Sequence, residues 1–186
     1  MHRLDKQFFA RNTKIVAKQL LGKILVKGGL KGKIVETEAY LGENDPASHA
    51  YKITKRSKIM LMEPGTIYIY FTYGNHYMFN VVTENVGKPG AVLIRALEPL
   101  QGIEIMKKNR NINDIARLCK GPGCVTQSFD INKKYNGQSI VNNNEIYIED
   151  SNEKPNIIRT SRIGISQGKD LKLRFYIKDN KFVSRK

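Results

Sequence analysis

A chain of 186 residues has room for one sizeable core and too little for two conventional domains, so a single domain is expected. Hydrophobic residues make up 40% and charged residues 26%, a globular composition that excludes wholesale disorder. Lys and Arg number 32 against 17 Asp and Glu, giving a net charge of +15, and such an excess favours a polyanionic partner, most often nucleic acid, because counterion release from phosphates drives association. The segment NTKIVAKQLLG predicts a short amphipathic helix, with Asn12 or Thr13 as N-cap, Ile15, Val16, Leu20 and Leu21 on its apolar side and Gly22 as its stop. Strands are expected at KILVK and GKIVETEAYL, separated by a Gly-Gly turn. Across Lys33 to Leu41, strict alternation would set Ile34, Glu36, Glu38 and Tyr40 on one face and Val35, Thr37, Ala39 and Leu41 on the other. The pattern alone fits the solvated face of a half-buried strand as well as it fits part of a site.

GENDPASH reads as a loop whose turn chemistry comes from Gly42, Asn44, Asp45 and Pro46, which puts His49 just beyond the strand carrying the two glutamates. GTIYIYFTYGNHYMFNVV holds two alternating aromatic and β-branched runs around Tyr73-Gly74-Asn75-His76, the pattern of a hairpin. Hairpin tips normally expose small polar residues, so a large ring there either has something to insert into or folds back on its own hairpin. Arg95 interrupts the apolar run AVLIRALEP. It must reach water at an edge or be buried against a carboxylate, with Glu36 and Glu38 the candidates if their strand lies alongside.

Two helices are expected around LQGIEIMKKNR and NDIARLCK, the second stopped by Gly121 with Pro122 behind it. NGQSIVNNNEIYIED reads as loop then strand, and LKLRFYIKDNKFVS as a closing strand or hairpin. The fold class implied is mixed α/β (α+β), a curved antiparallel sheet with flanking helices and a protruding β-hairpin. No run approaches the roughly 20 apolar residues needed to cross a bilayer, and MHRLDKQFFARNTK has no signal-like apolar core, so no membrane partner and a cytoplasmic location are expected. Cys119 and Cys124 with three histidines spread along the chain make no metal-ligand pattern, so reduced thiols, no metal and no cofactor are expected.

Seven blocks, in order from about Leu20 to Ile177, resemble the alkyladenine (3-methyladenine or methylpurine) DNA glycosylase family: LLGKILV, GKIVETEAYLG running on to His49, MEPGTIYIYFTYG, MFNVV, VLIRALEPLQG, LCKGPG with INKKYNG, and SRIGIS with LRFYI. The resemblance implies hydrolysis of the N-glycosidic bond of an alkylated purine in duplex DNA, leaving an abasic site, by an enzyme that flips the nucleotide out of the stack. It implies Tyr73 as the side chain that fills the gap from the minor groove. It implies Tyr40 and His49 on one side of a base pocket and Tyr70 on the other, with Asn80 at the purine edge, disfavouring the exocyclic amino group of guanine. It implies Glu38 as general base and Arg95 as the arginine working with it.

No lysine nucleophile is indicated, so cleavage of the backbone is not expected. Glu36 lies about 6 to 7 Å from Glu38 along the strand at the usual rise, but the resemblance carries no role onto it and it is read as structural. Where many family members have an Arg-Asn pair, this chain reads TKRSKIMLMEPG. A catalytically inactive basic nucleic-acid-binding module of the same fold is the alternative, disfavoured because a pure binder needs no Glu38 and Arg95 pair. A hydrolase of free nucleosides is disfavoured because a small substrate requires neither the charge nor the hairpin. A monomer acting on double-stranded DNA with alkylated purines is expected.

Overall fold

The computed structural model describes residues 2–72 and 74–185. Asn12 caps the helix predicted near the N-terminus by accepting from the Lys14 N–H. Two short helices, α1 (Lys6–Phe9) and α2 (Thr13–Gln19), lead into β1 (Ile24–Lys27) and the long β2 (Leu30–Tyr40), which pair antiparallel across the Gly28-Gly29 turn. The aromatic hairpin is β3 (Ile67–Thr72) and β4 (His76–Val82), and Arg95 lies in β5 (Ala91–Gln101). Beyond it come α3 (Ile103–Arg110), α4 (Pro122–Ser128), β6 (Ile146–Glu149), β7 (Ile157–Thr160) and β8 (Arg174–Ile177). The sheet runs β3-β4-β5-β2-β1-β6, and β8 pairs with the distal half of β2 and with β7. The result is the single-domain α+β architecture with an antiparallel sheet that the pattern implied.

Two local expectations are corrected. NDIARLCK is a 3-10 turn over Ile115–Arg117, not a helix, and Gly121-Pro122 opens α4 rather than stopping a helix before it. Proline at the first helical position lacks only an N–H that has no intrahelical partner anyway. Gly121, at φ 133, takes a backbone conformation that a side chain would strain. NIIRT also forms β7, a short edge strand whose partly exposed residues give no alternating apolar signal.

The alternation along β2 breaks as well. Ile34 pairs with Leu97 and Glu36 with Ala96, leaving Val35 extra on β2; Thr37 then pairs with Ile94, leaving Arg95 extra on β5. Each extra residue is a bulge that shifts the facing of the residues beyond it. Ile34 therefore joins Ala39 in the main core, while Val35 packs with Ala96, Phe182 and Val183 in a separate cluster. Glu36 and Glu38 do share a face, but that face is covered, and both side chains are 0% exposed.

The helices cover the other side of the sheet, where Val16, Ala17, Phe79, Ile94, Val125 and Phe129 belong to the main core. Fully burying one aliphatic or aromatic side chain of this kind contributes roughly 1.5–3 kcal/mol, so this layer sets the position of every strand under the site. Among the described residues no helix is long and apolar enough to cross a membrane. Cys119 and Cys124 are free thiols; Cys119 is buried, which pushes its thiol up to about 12.

Candidate active site

On the sheet face away from the main core, alternate residues of four strands converge on a cavity of about 380 Å³, within the range of small-ligand sites. β2 contributes Tyr40, β3 Tyr68 and Tyr70, β4 Met78 and Asn80, and β5 Leu93 and Arg95. His49 joins from the loop after β2, and Ile163 to Ile165 close another side. The period-2 alternation of the hairpin and of β5 is what presents the polar and aromatic members to one side and Ile67, Ile69, Phe79, Val92 and Ile94 to the core.

Glu38 lies behind this wall, fully buried, with its partners lining the cavity. Its Oε2 accepts from the Tyr40 hydroxyl at 2.9 Å, its Oε1 accepts from the Ile163 N–H at 2.8 Å, and Arg95 Nη1 stands 3.5 Å from Oε1. Burial raises its pKa above the usual carboxylate value; Arg95, the Ile163 N–H and the Tyr40 hydroxyl pull it back, and the neighbouring charge of Glu36 adds to the rise. The Tyr40 phenol is pushed well up by burial and by Glu38, so it stays a hydrogen-bond donor at neutral pH. The bulge aims Arg95 at both carboxylates: its Nε is 3.1 Å from Glu36 Oε1. That nitrogen is buried yet makes no hydrogen bond, so charge rather than direction holds this contact.

His49 does not stand where a base sandwich would want it. Its ring meets Tyr70 edge-on, with centroids 4.6 Å apart at 71°, and Tyr68 is 6.1 Å away. A ring stacked between two faces needs roughly 7 Å, twice the stacking rise, so no base fits between His49 and Tyr70, and these two rings belong to one wall of the cavity. Nε2 of His49 accepts from Arg56 Nη2 at 3.0 Å, and Nδ1 is 2.8 Å from the Tyr68 hydroxyl. With Nε2 an acceptor, a neutral ring carries its proton on Nδ1 and donates to Tyr68. Burial and the Arg56 charge lower its pKa to about 4, so the ring is neutral at physiological pH.

Asn80 is 2% exposed, and its Nδ2 donates to the carbonyls of Tyr68 and Met78 at 3.1 and 3.3 Å. The atom it has left to offer a ligand is the acceptor Oδ1. Tyr73 lies outside the described residues; Thr72 and His76 form the last pair of the hairpin ladder.

Two residues that sequence reasoning passes over hold this arrangement together. Asp45 and Arg162, both side chains 0% exposed, pair bidentately, Nη1 to Oδ2 and Nη2 to Oδ1, each at 2.6 Å. Asp45 also accepts from the N–H groups of Leu41 and Ala47, and Arg162 donates to the Ala39 carbonyl and lies 4.7 Å from the Tyr40 ring. The clamp fixes the loop carrying His49 to the segment carrying Ile163. The local sequence around Asp45 speaks only of turn chemistry; its partner lies 117 residues away, which no local pattern could reveal. Among the described residues no group of three His, Cys, Asp or Glu comes together to hold a metal ion.

The family described as methylpurine-DNA glycosylase matches residues 7–181. The chain belongs to the methylpurine-DNA glycosylase family. A relative from Carboxydothermus hydrogenoformans is 50% identical over 98% of this chain and 99% of its own length. One from Prosthecochloris aestuarii is 49% identical over 100% of this chain and 92% of its own. One from Francisella tularensis is 52% identical over 91% and 92%. All three carry the name "Putative 3-methyladenine DNA glycosylase". Membership of this family makes the chain a DNA glycosylase, a hydrolase whose substrate is DNA.

Proposed function

We propose that this glycosylase is monofunctional: it flips alkylated purines out of duplex DNA, hydrolyses the N-glycosidic bond and leaves an abasic site. The observation that carries the reading is the buried Glu38, with Tyr40 and Arg95 between it and an aromatic-walled cavity. Extruding the nucleotide costs a few kcal/mol, which Tyr73 offsets by filling the gap in the stack. The extruded purine stacks against Tyr40 and Tyr70. Stacking contributes roughly 1 to 3 kcal/mol per base, and a cationic alkylpurine gains more from electron-rich faces. Asn80 meets the purine edge with Oδ1. Since that atom would accept a hydrogen bond from guanine's amino group, any discrimination against guanine by Asn80 is steric rather than a clash of donors.

Glu38, as carboxylate, takes a proton from a water whose oxygen bonds to C1′ of the sugar. The electron pair of the glycosidic bond leaves with the base, which is neutralised because it was already cationic. The carboxylate and the dipoles around it stabilise the positive charge that develops on the sugar. No lysine is among the described residues lining the cavity, which supports hydrolysis without a Schiff base and hence without backbone cleavage.

The test uses a duplex containing one methylated purine, with free base and an alkali-sensitive site as readouts. The wild type should release the base, and Glu38→Gln should lower the rate about 10²- to 10⁴-fold, the usual contribution of a general base, at similar DNA affinity. Release persisting in that variant would remove Glu38 from the mechanism.

A further inference from the structure

Burying a second carboxylate beside the first is costly unless something repays it, and the surroundings of Glu36 show what it does. Glu36 Oε1 accepts from Arg174 Nε at 2.6 Å and from the Ser184 hydroxyl at 2.9 Å, and Oε2 accepts from the Ser184 N–H at 2.7 Å. Ser184 belongs to a segment whose Phe182 and Val183 pack on Val35 and Ala96, next to the paired bulges. Arg174 also donates to the Arg185 carbonyl, tying the same segment down from the other side. Arg174 alone would balance the charge of Glu36, yet Arg95 is drawn there too, and its 3.1 Å approach to Glu36 is closer than its 3.5 Å approach to Glu38.

A guanidinium next to a lone buried carboxylate normally closes into a short bidentate pair. Such a pair on Glu38 would occupy the lone pairs that a water must reach and would weaken it as a base. We infer that Glu36, itself fixed by Ser184 of the C-terminal segment, is a positioning residue that holds Arg95 back from Glu38, so that no bidentate guanidinium pair takes up the lone pairs Glu38 must offer the attacking water. The inference rests on the assignment of Glu38 and Arg95 above. It also explains the bulge pair: Val35 turns in toward Phe182 and Val183, and Arg95 is set between two carboxylates rather than opposite one. The groups facing Glu38 are Arg95 from β5, Glu36 and Tyr40 from β2 and the Ile163 N–H, with Arg174 on β8 paired to Glu38 through the backbone.

Removing the charge of Glu36 takes away one carboxylate that disfavours ionisation of Glu38 and lets Arg95 close on it. Both changes favour the ionised form, so the acid limb of the rate profile moves to lower pH while the rate on its plateau falls. The experiment is single-turnover release of a methylated purine from duplex DNA across a pH series, with DNA affinity and melting temperature measured alongside. Glu36→Gln should lower the plateau about 10- to 100-fold, a part of the roughly 10²- to 10⁴-fold that a general base contributes, shift the acid limb down and leave DNA affinity unchanged. Ser184→Ala, which removes one of two tail donors but keeps the carboxylate, should move both readouts the same way by less, and it carries the test if Glu36→Gln does not fold. Folded variants with wild-type plateau and acid limb overturn the inference, as does a fall in rate with the limb unmoved, the mark of a merely structural role. Glu38→Gln is the control: activity retained there defeats the catalytic assignment, whereas an inactive Glu38→Gln beside wild-type behaviour in the other two defeats only the inference.

Discussion

At Glu38, burial and the proposed role as general base pull in opposite directions. A general base must be ionised at working pH, while the protein around Glu38 favours its protonated form. With its folded pKa raised above the unfolded value, the stability Glu38 contributes is present in full below the ordinary carboxylate pKa and is lost as pH rises through the folded one. At neutral pH the native state therefore carries the cost of an ionised buried group. Glutamine in its place mimics the protonated acid and relieves that cost. Glu38→Gln should melt at a higher temperature than the wild type near pH 7 to 8, and the gap should close as pH falls through the raised pKa; calorimetry across a pH series checks this. A variant less stable than the wild type at neutral pH would mean that the Arg95 contact outweighs desolvation.

Among the elements, what is legible in the sequence is local chemistry. The Asn12 cap, the Gly-Gly turn, the aromatic hairpin and the expectation that Arg95 finds Glu36 or Glu38 are all open to reading from a few adjacent residues. The features that escape such reading depend on pairings between distant segments. Strict alternation puts Ile34 on the Glu38 face, whereas the bulge at Val35 turns it into the core, and a bulge is a property of two paired strands rather than of one sequence. The polar face is open to reading as solvated because its cover, Ile163 and the segment around Ser184, lies more than a hundred residues further along. The pocket positions Tyr40, His49, Tyr70 and Asn80 rest on family resemblance, and in the structure all four line one cavity, with His49 edge-on to Tyr70.

The Asp45 and Arg162 clamp belongs to this same scale, since it joins the His49 loop to the Ile163 segment. Both side chains are fully buried, so removing one leaves the other charged and unpaired. Asp45→Ala should cost about 3–5 kcal/mol in urea unfolding. Asp45→Ala combined with Arg162→Met should cost clearly less than the sum of the two single changes, because the double variant buries no orphan charge. Additive losses would show that the two residues stabilise the fold independently and do not act as a clamp.

Over the whole molecule, the proposed function assigns the charge of +15 and the hairpin to separate steps. Long-range attraction to phosphates brings the protein to any duplex, damaged or not, and falls with salt. On the proposed function, insertion of Tyr73 and capture of the purine would act only after contact and exchange few counterions. If six to ten phosphates are neutralised, affinity for undamaged duplex should fall roughly 10³- to 10⁵-fold between 50 and 200 mM salt. Tyr73→Ala should leave that slope intact, because it removes no cation, while lowering the rate of base release, because the gap in the stack is no longer filled. Replacing a lysine or arginine that contacts phosphate should do the reverse, lowering the slope by about 0.9 and leaving the single-turnover rate at saturating protein unchanged. Measuring slope and rate on both kinds of variant tests whether binding and flipping are separable. A Tyr73→Ala protein that lost its affinity for DNA altogether would show that they are not, and would move Tyr73 from the flipping step to the binding step.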